Sequence, residues 1–277
     1  VLSEHRGAEL HEKLGIDAEE LASWDDISRR LRVPFHDGVV SQFEGYGDLA
    51  ELDWDAYRER YGDIRRLDRV LEAEGDTTNR YKLSKQADVL MLLYLLSEDE
   101  VIALLGRLGY DVDRTVLRST IDYYLVRTSH GSSLSGVVQT WLEVRTGQEP
   151  SWPLFAEAME SDLRGGDGGT VREGIHLGAM AGTADLVQRG YGGVAPRDGV
   201  LWIEPALAPE IVRLRFNVGY RGASVQVTVE DGHCTVQAHP NARAITVGID
   251  GEVVELAPCE ERTFAVPRRQ APGTASP

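Results

Sequence analysis

The stretch RTSHGSSLS, Arg127 to Ser135, gathers a guanidinium, an imidazole and a run of hydroxyls around Gly131, directly before an apolar helical pattern. Short hydroxyl side chains and the unpaired backbone N–H groups of a helix start are hydrogen-bond donors suited to an oxygen-rich or anionic ligand. Three more stretches have similar character: QFEGY (Gln42 to Tyr46), KQADV (Lys85 to Val89) and EGIHLGAMAGT (Glu173 to Thr183). Three of the four lie just before or at the start of a helical pattern, which fits a shared site at one end of a helical array.

Each stretch also has a purely structural explanation. Lys85 and Gln86 could be a solvated first turn, and His130 with Ser132, Ser133 and Ser135 an N-cap cluster for the following helix. His176, between Ile175 and Leu177, could be a satisfied core histidine, and the small residues of LGAMAGT a close-packing helix face. Glu44, Asp88 and Glu173 are the nearest carboxylates, and no spacing pairs two of them as acid and base. The chain has no zinc-type His/Cys spacing, Walker loop, G-x-G-x-x-G or G-x-S-x-G, so no metal and no organic cofactor is expected.

Apolar residues at three- and four-residue spacing predict helices over Leu2 to Leu14, Ala18 to Leu31, Trp54 to Tyr61, Ser84 to Leu96, Glu98 to Leu108, Asp113 to Leu125, Leu134 to Arg145, Ser151 to Leu163 and Ile175 to Arg189. SEDE from Ser97 reads as a capping box. No strand is expected among these helices, and residues 33 to 53 read as an irregular stretch. After about Val194 apolar and polar positions alternate between turns such as YRG, EDG and IDG, the pattern of an antiparallel meander. The expected organisation is therefore a helical domain over 1–193, a β domain over 194–267 and a disordered tail over 268–277.

With 29 basic against 45 acidic residues the net charge is −16. That field repels phosphate backbones and anionic lipid, so nucleic acid and membranes are not expected partners, while a neutral sugar is indifferent to it. The longest apolar run, Val89 to Leu96, is too short to cross a bilayer. Cys234 and Cys259 are the only cysteines. They read as thiols in a reducing, cytoplasmic setting rather than as a disulfide.

In order, YKLSKQADVLMLLYLL, RTSHGSSLS and EGIHLGAMAGTADLVQRGYGG, followed by the change to strands, resemble glycoside hydrolase family 65 from about Gln42 to Arg221. This is the group of maltose, trehalose and kojibiose phosphorylases and related hydrolases. The resemblance implies the C-terminal half of an (α/α)6 barrel followed by a small antiparallel β-sandwich. It implies that Lys85 and Gln86 line the glucosyl pocket, and that His130, Ser132, Ser133, Ser135 and His176 surround inorganic phosphate. The implied reaction is inverting phosphorolysis of an α-linked glucose disaccharide to β-glucose 1-phosphate, with phosphate as co-substrate.

The same resemblance calls for a general-acid glutamate in a D-E-Y-type motif that this sequence does not contain. The chain therefore reads as a C-terminal portion, expected to be inactive without the N-terminal part of the enzyme, and the family admits a homodimer. Two alternatives stay open. One is an inverting α-glucoside hydrolase, which would place a carboxylate on the nucleophile side. The other is a noncatalytic helical scaffold carrying a carbohydrate-associated β module, in which Lys85, Gln86, His130 and His176 would not converge.

Overall fold

The computed structural model describes residues 7–147, 151–163, 174–240 and 243–266. The expected helix start at Leu2, Glu173 and the tail over 268–277 lie outside them. The chain is mainly helical up to Tyr191 and β-stranded from Val194. It divides into two compact units, one of Val1–Trp54, Thr77–Leu83 and Asp88–Arg127, the other of Asp55–Asp76, Ser84–Ala87 and Thr128–Pro277.

The first unit holds helices α1 (Gly7–Leu14) and α2 (Ala18–Arg30), strands β1 (Phe35–His36) and β2 (Val39–Val40), and, later in the chain, three further helices. The strands correct the expectation of an irregular stretch. Between them Asp37 and Gly38 have φ of 47° and 79°, the Asp-Gly pair that a tight two-residue hairpin turn favours. The three helices, numbered after α3 and α4 of the other unit, are α5 (Met91–Leu95), α6 (Glu98–Arg107) and α7 (Arg114–Leu125). The capping box forms as read: Ser97 accepts from the Glu100 N–H while Glu100 reaches back to the Ser97 N–H.

The core of this unit gathers Val39, Val40, Leu90, Val101, Leu105, Leu117 and Ile121 around the fully buried Tyr46 and Tyr124. Helix α7 also satisfies backbone donors of the hairpin side. Thr120 Oγ1 accepts the Val40 N–H at 3.2 Å and the Tyr124 hydroxyl accepts the Gln42 N–H at 2.8 Å. Burial pushes the Tyr124 phenol up to about 12, so it remains a neutral hydroxyl. Tyr124→Phe keeps the ring packing but removes the hydroxyl that accepts the Gln42 N–H, and is expected to destabilise the chain by about 1–2 kcal/mol; the shift of a urea unfolding midpoint measures it.

The second unit begins with α3 (Trp54–Tyr61) and α4 (Leu67–Ala73), of which α4 was not expected. It continues with α8 (Ser133–Thr146), α9 (Trp152–Glu160), α10 (Leu177–Asp185) and a π-helical segment, Leu186–Tyr191. Helix α8 is the most enclosed, with Val137, Val138, Trp141, Leu142 and Val144 all buried. The expected single helix over 175–189 is thus two segments. The wider turn places Tyr191 in the core, where its hydroxyl meets Ser151 Oγ at 3.0 Å.

The strands form two four-stranded sheets. One has the order β10 (Glu261–Ala265), β7 (His233–Ala238), β6 (Ala223–Glu230), β5 (Arg213–Tyr220) and is antiparallel throughout. Alternation is strict on β6, where Ala223, Val225, Val227 and Val229 are buried, giving that sheet one apolar face. The other sheet has the order β3 (Val194–Arg197), β4 (Val200–Ile203), β8 (Ile245–Ile249), β9 (Glu252–Leu256).

Here the expectation of an antiparallel β module needs correction, because β4 and β8 pair in parallel, Leu201 opposite Val247 and Trp202 opposite Gly248. The chain leaves this sheet after β4, builds β5 to β7, and re-enters beside β4 in the same direction, which only a long crossover connection permits. Cys234 is buried and Cys259 exposed, both as free thiols.

Candidate functional site

Backbone bonds join KQADV to RTSHGSSLS. Ser84 and Thr128 form a parallel bridge. The Ser129 N–H donates to the Ser84 carbonyl at 2.9 Å and the Gly131 N–H to the Lys85 carbonyl at 3.1 Å. The Ser135 hydroxyl then accepts the Ala87 N–H at 3.1 Å. This explains why the expected helix over 84–96 begins only at Met91: the backbone groups of 84–87 are spent on the loop instead of on a helical turn.

Gly131 is required at this junction. A Cβ placed on it would lie 2.5 Å from the Arg65 carbonyl oxygen and 3.5 Å from Lys85 Cγ. The segment leading into α4 therefore closes the loop from a second side. Asp68, in the first turn of α4, meets Lys85 Nζ at 2.7 Å. Burial works against an ionised Asp68, but the hydrogen bond and charge of Lys85 outweigh it and hold the carboxyl below its usual range.

The expected ligands differ in how they are used. Ser132 is the N-cap of α8, its hydroxyl accepting the Leu134 N–H at 3.3 Å, so the capping explanation holds for this residue. Ser133 opens α8 and is partly exposed, whereas Ser135 is buried and its acceptor lone pair serves Ala87. Gln86 is exposed next to Lys85. His130 adopts a left-handed φ of 53°, uncommon for a residue with a Cβ. Its Nδ1 is buried with no partner among the described residues. Burial lowers the imidazole to about 4, so the ring is neutral at ordinary pH.

His176 is not a core histidine. It is the N-cap residue of α10, and the Asp162 carboxylate accepts both its backbone N–H and its Nδ1–H, each at 2.8 Å. Two contacts fix the direction of α10 against α8. Gly182 sits on Val137, where a Cβ would approach Val137 Cγ1 to 2.8 Å, and further along both segments the Arg189 guanidinium stacks 4.7 Å from the Trp141 ring centre. The order of the contacts rises along both segments, so they run parallel. Val137 lies five residues past Ser132 and Gly182 six past His176. The two N-cap residues therefore lie at the same end of α8 and α10. The positive dipole ends of both helices lie there.

QFEGY belongs to the other unit. Tyr46 is buried among His36, Tyr123 and Tyr124 rings, and Gln42 Nε2 donates to Asp88 at 2.8 Å. Burial raises the Asp88 carboxyl despite that bond. Tyr46 is thus a core residue of its unit. Asp68 and Asp162, which hold Lys85 and His176, carry no sequence signal, because neither belongs to a motif. Among the described residues no three His, Cys, Asp or Glu side chains gather as a metal site, and no helix is long and apolar enough to cross a membrane.

Residues 1–185 match the glycosyl hydrolase family 65 central catalytic domain and residues 194–256 the family's C-terminal domain. An uncharacterized glycosyl hydrolase of Mycobacterium tuberculosis is 51% identical over 248 residues, covering 89% of this chain and 19% of that protein. The trehalose 6-phosphate phosphorylase of Lactococcus lactis is 36% identical over 248 residues, 88% of this chain and 32% of that protein. A solved structure with a provisional assignment as a kojibiose phosphorylase from the human microbiome superposes with a TM-score of 0.69 at 22% identity, covering 92% of this chain and 33% of the other. That likeness is one of fold. The chain spans about a fifth to a third of the length of the curated relatives it matches.

Proposed function

Because the chain belongs to glycosyl hydrolase family 65, we propose that Lys85 and the 128–135 loop form the glucosyl and phosphate side of a site that cleaves an α-linked glucose disaccharide by inverting phosphorolysis. On this reading the helices are the C-terminal half of an (α/α)6 barrel and the two sheets a β-sandwich. The supporting observation is the bonding of Lys85 to the loop through the Gly131 N–H at 3.1 Å. This bond ties the backbone of Lys85 to the loop that carries His130, Ser132 and Ser133, a loop without a carboxylate.

Phosphate is already an anion and needs no general base. It needs donors that hold its oxygens in line with the anomeric carbon while an acid elsewhere protonates the departing oxygen. Neutral His130, the loop hydroxyls and the first-turn N–H groups of α8 are such donors, and helix dipoles offset the charge of phosphate locally despite a net −16 over the chain. A glucosyl unit beside Lys85 would receive hydrogen bonds from the ammonium and from the exposed Gln86 amide. The product is β-glucose 1-phosphate, since attack comes from the face opposite the leaving group. No organic cofactor or metal is called for.

Asp68 gives the hydrolytic alternative its own specific feature, because it is a carboxylate next to Lys85. Its bond to that ammonium at 2.7 Å makes it a poor proton acceptor, which favours phosphorolysis. The gene product carrying this chain, given α-linked glucose disaccharides, is expected to release β-glucose 1-phosphate only when phosphate is present. Free glucose released at equal rates with and without phosphate would establish the hydrolase. The isolated 277-residue chain should turn over neither way, because protonation of the leaving oxygen contributes about two to four orders of magnitude.

A further inference from the structure

We propose that Asp68 is a positioning residue for the glucosyl side of the site: it fixes the Lys85 ammonium in one place, so that a sugar hydroxyl meets a donor already oriented. The proposal rests on the reading above that sets Lys85 against the glucosyl unit, and extends it to what holds that side chain.

A lysine is a point charge on a flexible four-carbon stem, and it loses much rotamer freedom when a ligand pins it. Lys85 is held at three levels. At its base, the Lys85 carbonyl accepts the Gly131 N–H at 3.1 Å. Along its stem, the Gly131 backbone lies so near that a Cβ on it would stand 3.5 Å from Lys85 Cγ. At its tip, Nζ meets Asp68 Oδ2 at 2.7 Å.

The carboxylate that holds the tip is itself anchored. Leu67 and Leu71 are fully buried, which fixes the first turn of α4 and Asp68 with it. The Asp68 side chain is 24% exposed against 46% for Lys85, so the carboxylate lies behind and the ammonium in front. Its other oxygen, Oδ1, faces Arg66 Nε at 3.7 Å, an ion pair too long for a hydrogen bond. One anion thus serves two cations. Burial opposes the ionisation of Asp68, and the hydrogen bond and charge of Lys85 prevail over it. An ammonium has three N–H donors; Asp68 takes one and leaves the rest for the oxygens of a neutral sugar. Without the carboxylate, the sugar itself would have to immobilise the side chain, which costs about tenfold in affinity for one rotamer-rich group.

A purely structural role predicts something different. An acidic residue in the first turn of a helix favours the helix dipole, and that contribution is the same whether or not residue 85 carries a charge. A double-mutant cycle separates the two roles, read on disaccharide cleavage by the gene product carrying this chain, with whichever of maltose, trehalose or kojibiose it cleaves. In Asp68→Asn the amide can accept from only one of the two cations and turns an NH2 group toward the other. Its KM for the disaccharide should rise about tenfold. The KM for phosphate should change less than about twofold, because the 128–135 loop is bonded to the backbone of residue 85 and not to its side chain. Lys85→Met keeps a stem and removes the ammonium. In that background Asp68→Asn should alter kcat/KM by less than about twofold, since the carboxylate has nothing left to hold. Calorimetric affinity for D-glucose closes the same cycle if Lys85→Met turns over too slowly, and Asp68→Ser repeats it should Asp68→Asn fail to fold.

Equal losses from Asp68→Asn in both backgrounds would mean that the carboxylate acts through the fold of α4, and would overturn the proposal. An unchanged KM for the disaccharide in Asp68→Asn would overturn it as well. An unchanged KM for the disaccharide in Lys85→Met would instead overturn the placement of Lys85 beside the sugar, and this proposal with it.

Discussion

Gly131→Ala in the gene product carrying this chain is expected to lower kcat/KM for phosphorolysis by about a hundredfold or more, with only a few degrees lost from Tm. The new methyl group would meet the Arg65 carbonyl oxygen at 2.5 Å, roughly 1 Å inside ordinary contact, and that oxygen belongs to backbone and cannot swing aside. The loop must back away from the segment entering α4. Its 3.1 Å bond from the Gly131 N–H to the Lys85 carbonyl then lengthens, and the donors of the loop no longer keep their register with the Lys85 ammonium. Misplacing reacting groups by about 1 Å costs on the order of a hundredfold even when no ligand contact is deleted.

Gly136, one turn further along, provides the control. A Cβ there meets nothing within 4 Å, so Gly136→Ala should keep wild-type kinetics and add up to about 1 kcal/mol of helix stability. Steady-state kinetics of the pair decide the matter: equal, near-native kcat/KM in both variants would mean that the 128–135 loop is not at the reaction site.

The second large effect is on folding. Gly193→Ala is expected to destabilise the chain by about 4 kcal/mol or more, a substantial part of the stability of an ordinary domain. Gly193 joins the π-helical segment to β3 with φ of 66°, and a Cβ on it would fall 1.9 Å from the Glu204 carbonyl oxygen. The residue also accepts the Glu204 N–H at 3.1 Å, so the two backbones are bonded at the point where the methyl group would separate them. Left-handed strain and a backbone collision add here. In Gly199→Ala the left-handed strain stands alone, because the nearest atom is the mobile Arg221 Nη1 at 3.2 Å, and about 1 kcal/mol is expected. Urea unfolding midpoints should rank the two accordingly, and equal midpoints would refute the argument.

Much of the local structure was legible in the residues. Helices α3 and α6 form within a residue of their expected bounds at each end, and a Ser97/Glu100 capping box opens α6. The Asp-Gly pair at 37–38 is the same hairpin signal that worked at Asp231 and Asp250, and it was overlooked only because the flanking strands are two residues each. Residues 84–87 read as helix by periodicity and are not helical, because their hydrogen bonds go to residues about 45 positions away. No local propensity contains that information.

The site divides in the same way. Residue type and order single out the stretches that hold Lys85, Gln86, His130, Ser132, Ser133, Ser135 and His176, and the family resemblance rests on those stretches in order together with the change to strands. Through caps and periodicities the residues also determined that helices give way to strands near Val194. Tertiary structure decided which hydroxyls are spent, committing Ser135 to Ala87 while Ser133 remains partly exposed. It also decided that Asp68 and Asp162 are the carboxylates that hold Lys85 and His176, and that β8 re-enters parallel to β4. Capping, turn geometry and periodicity act over a few neighbouring residues and so are written in the order of the chain. Close approach, burial and ion pairing depend on segments far apart in sequence, and they take effect only when folding brings those segments within a few ångströms.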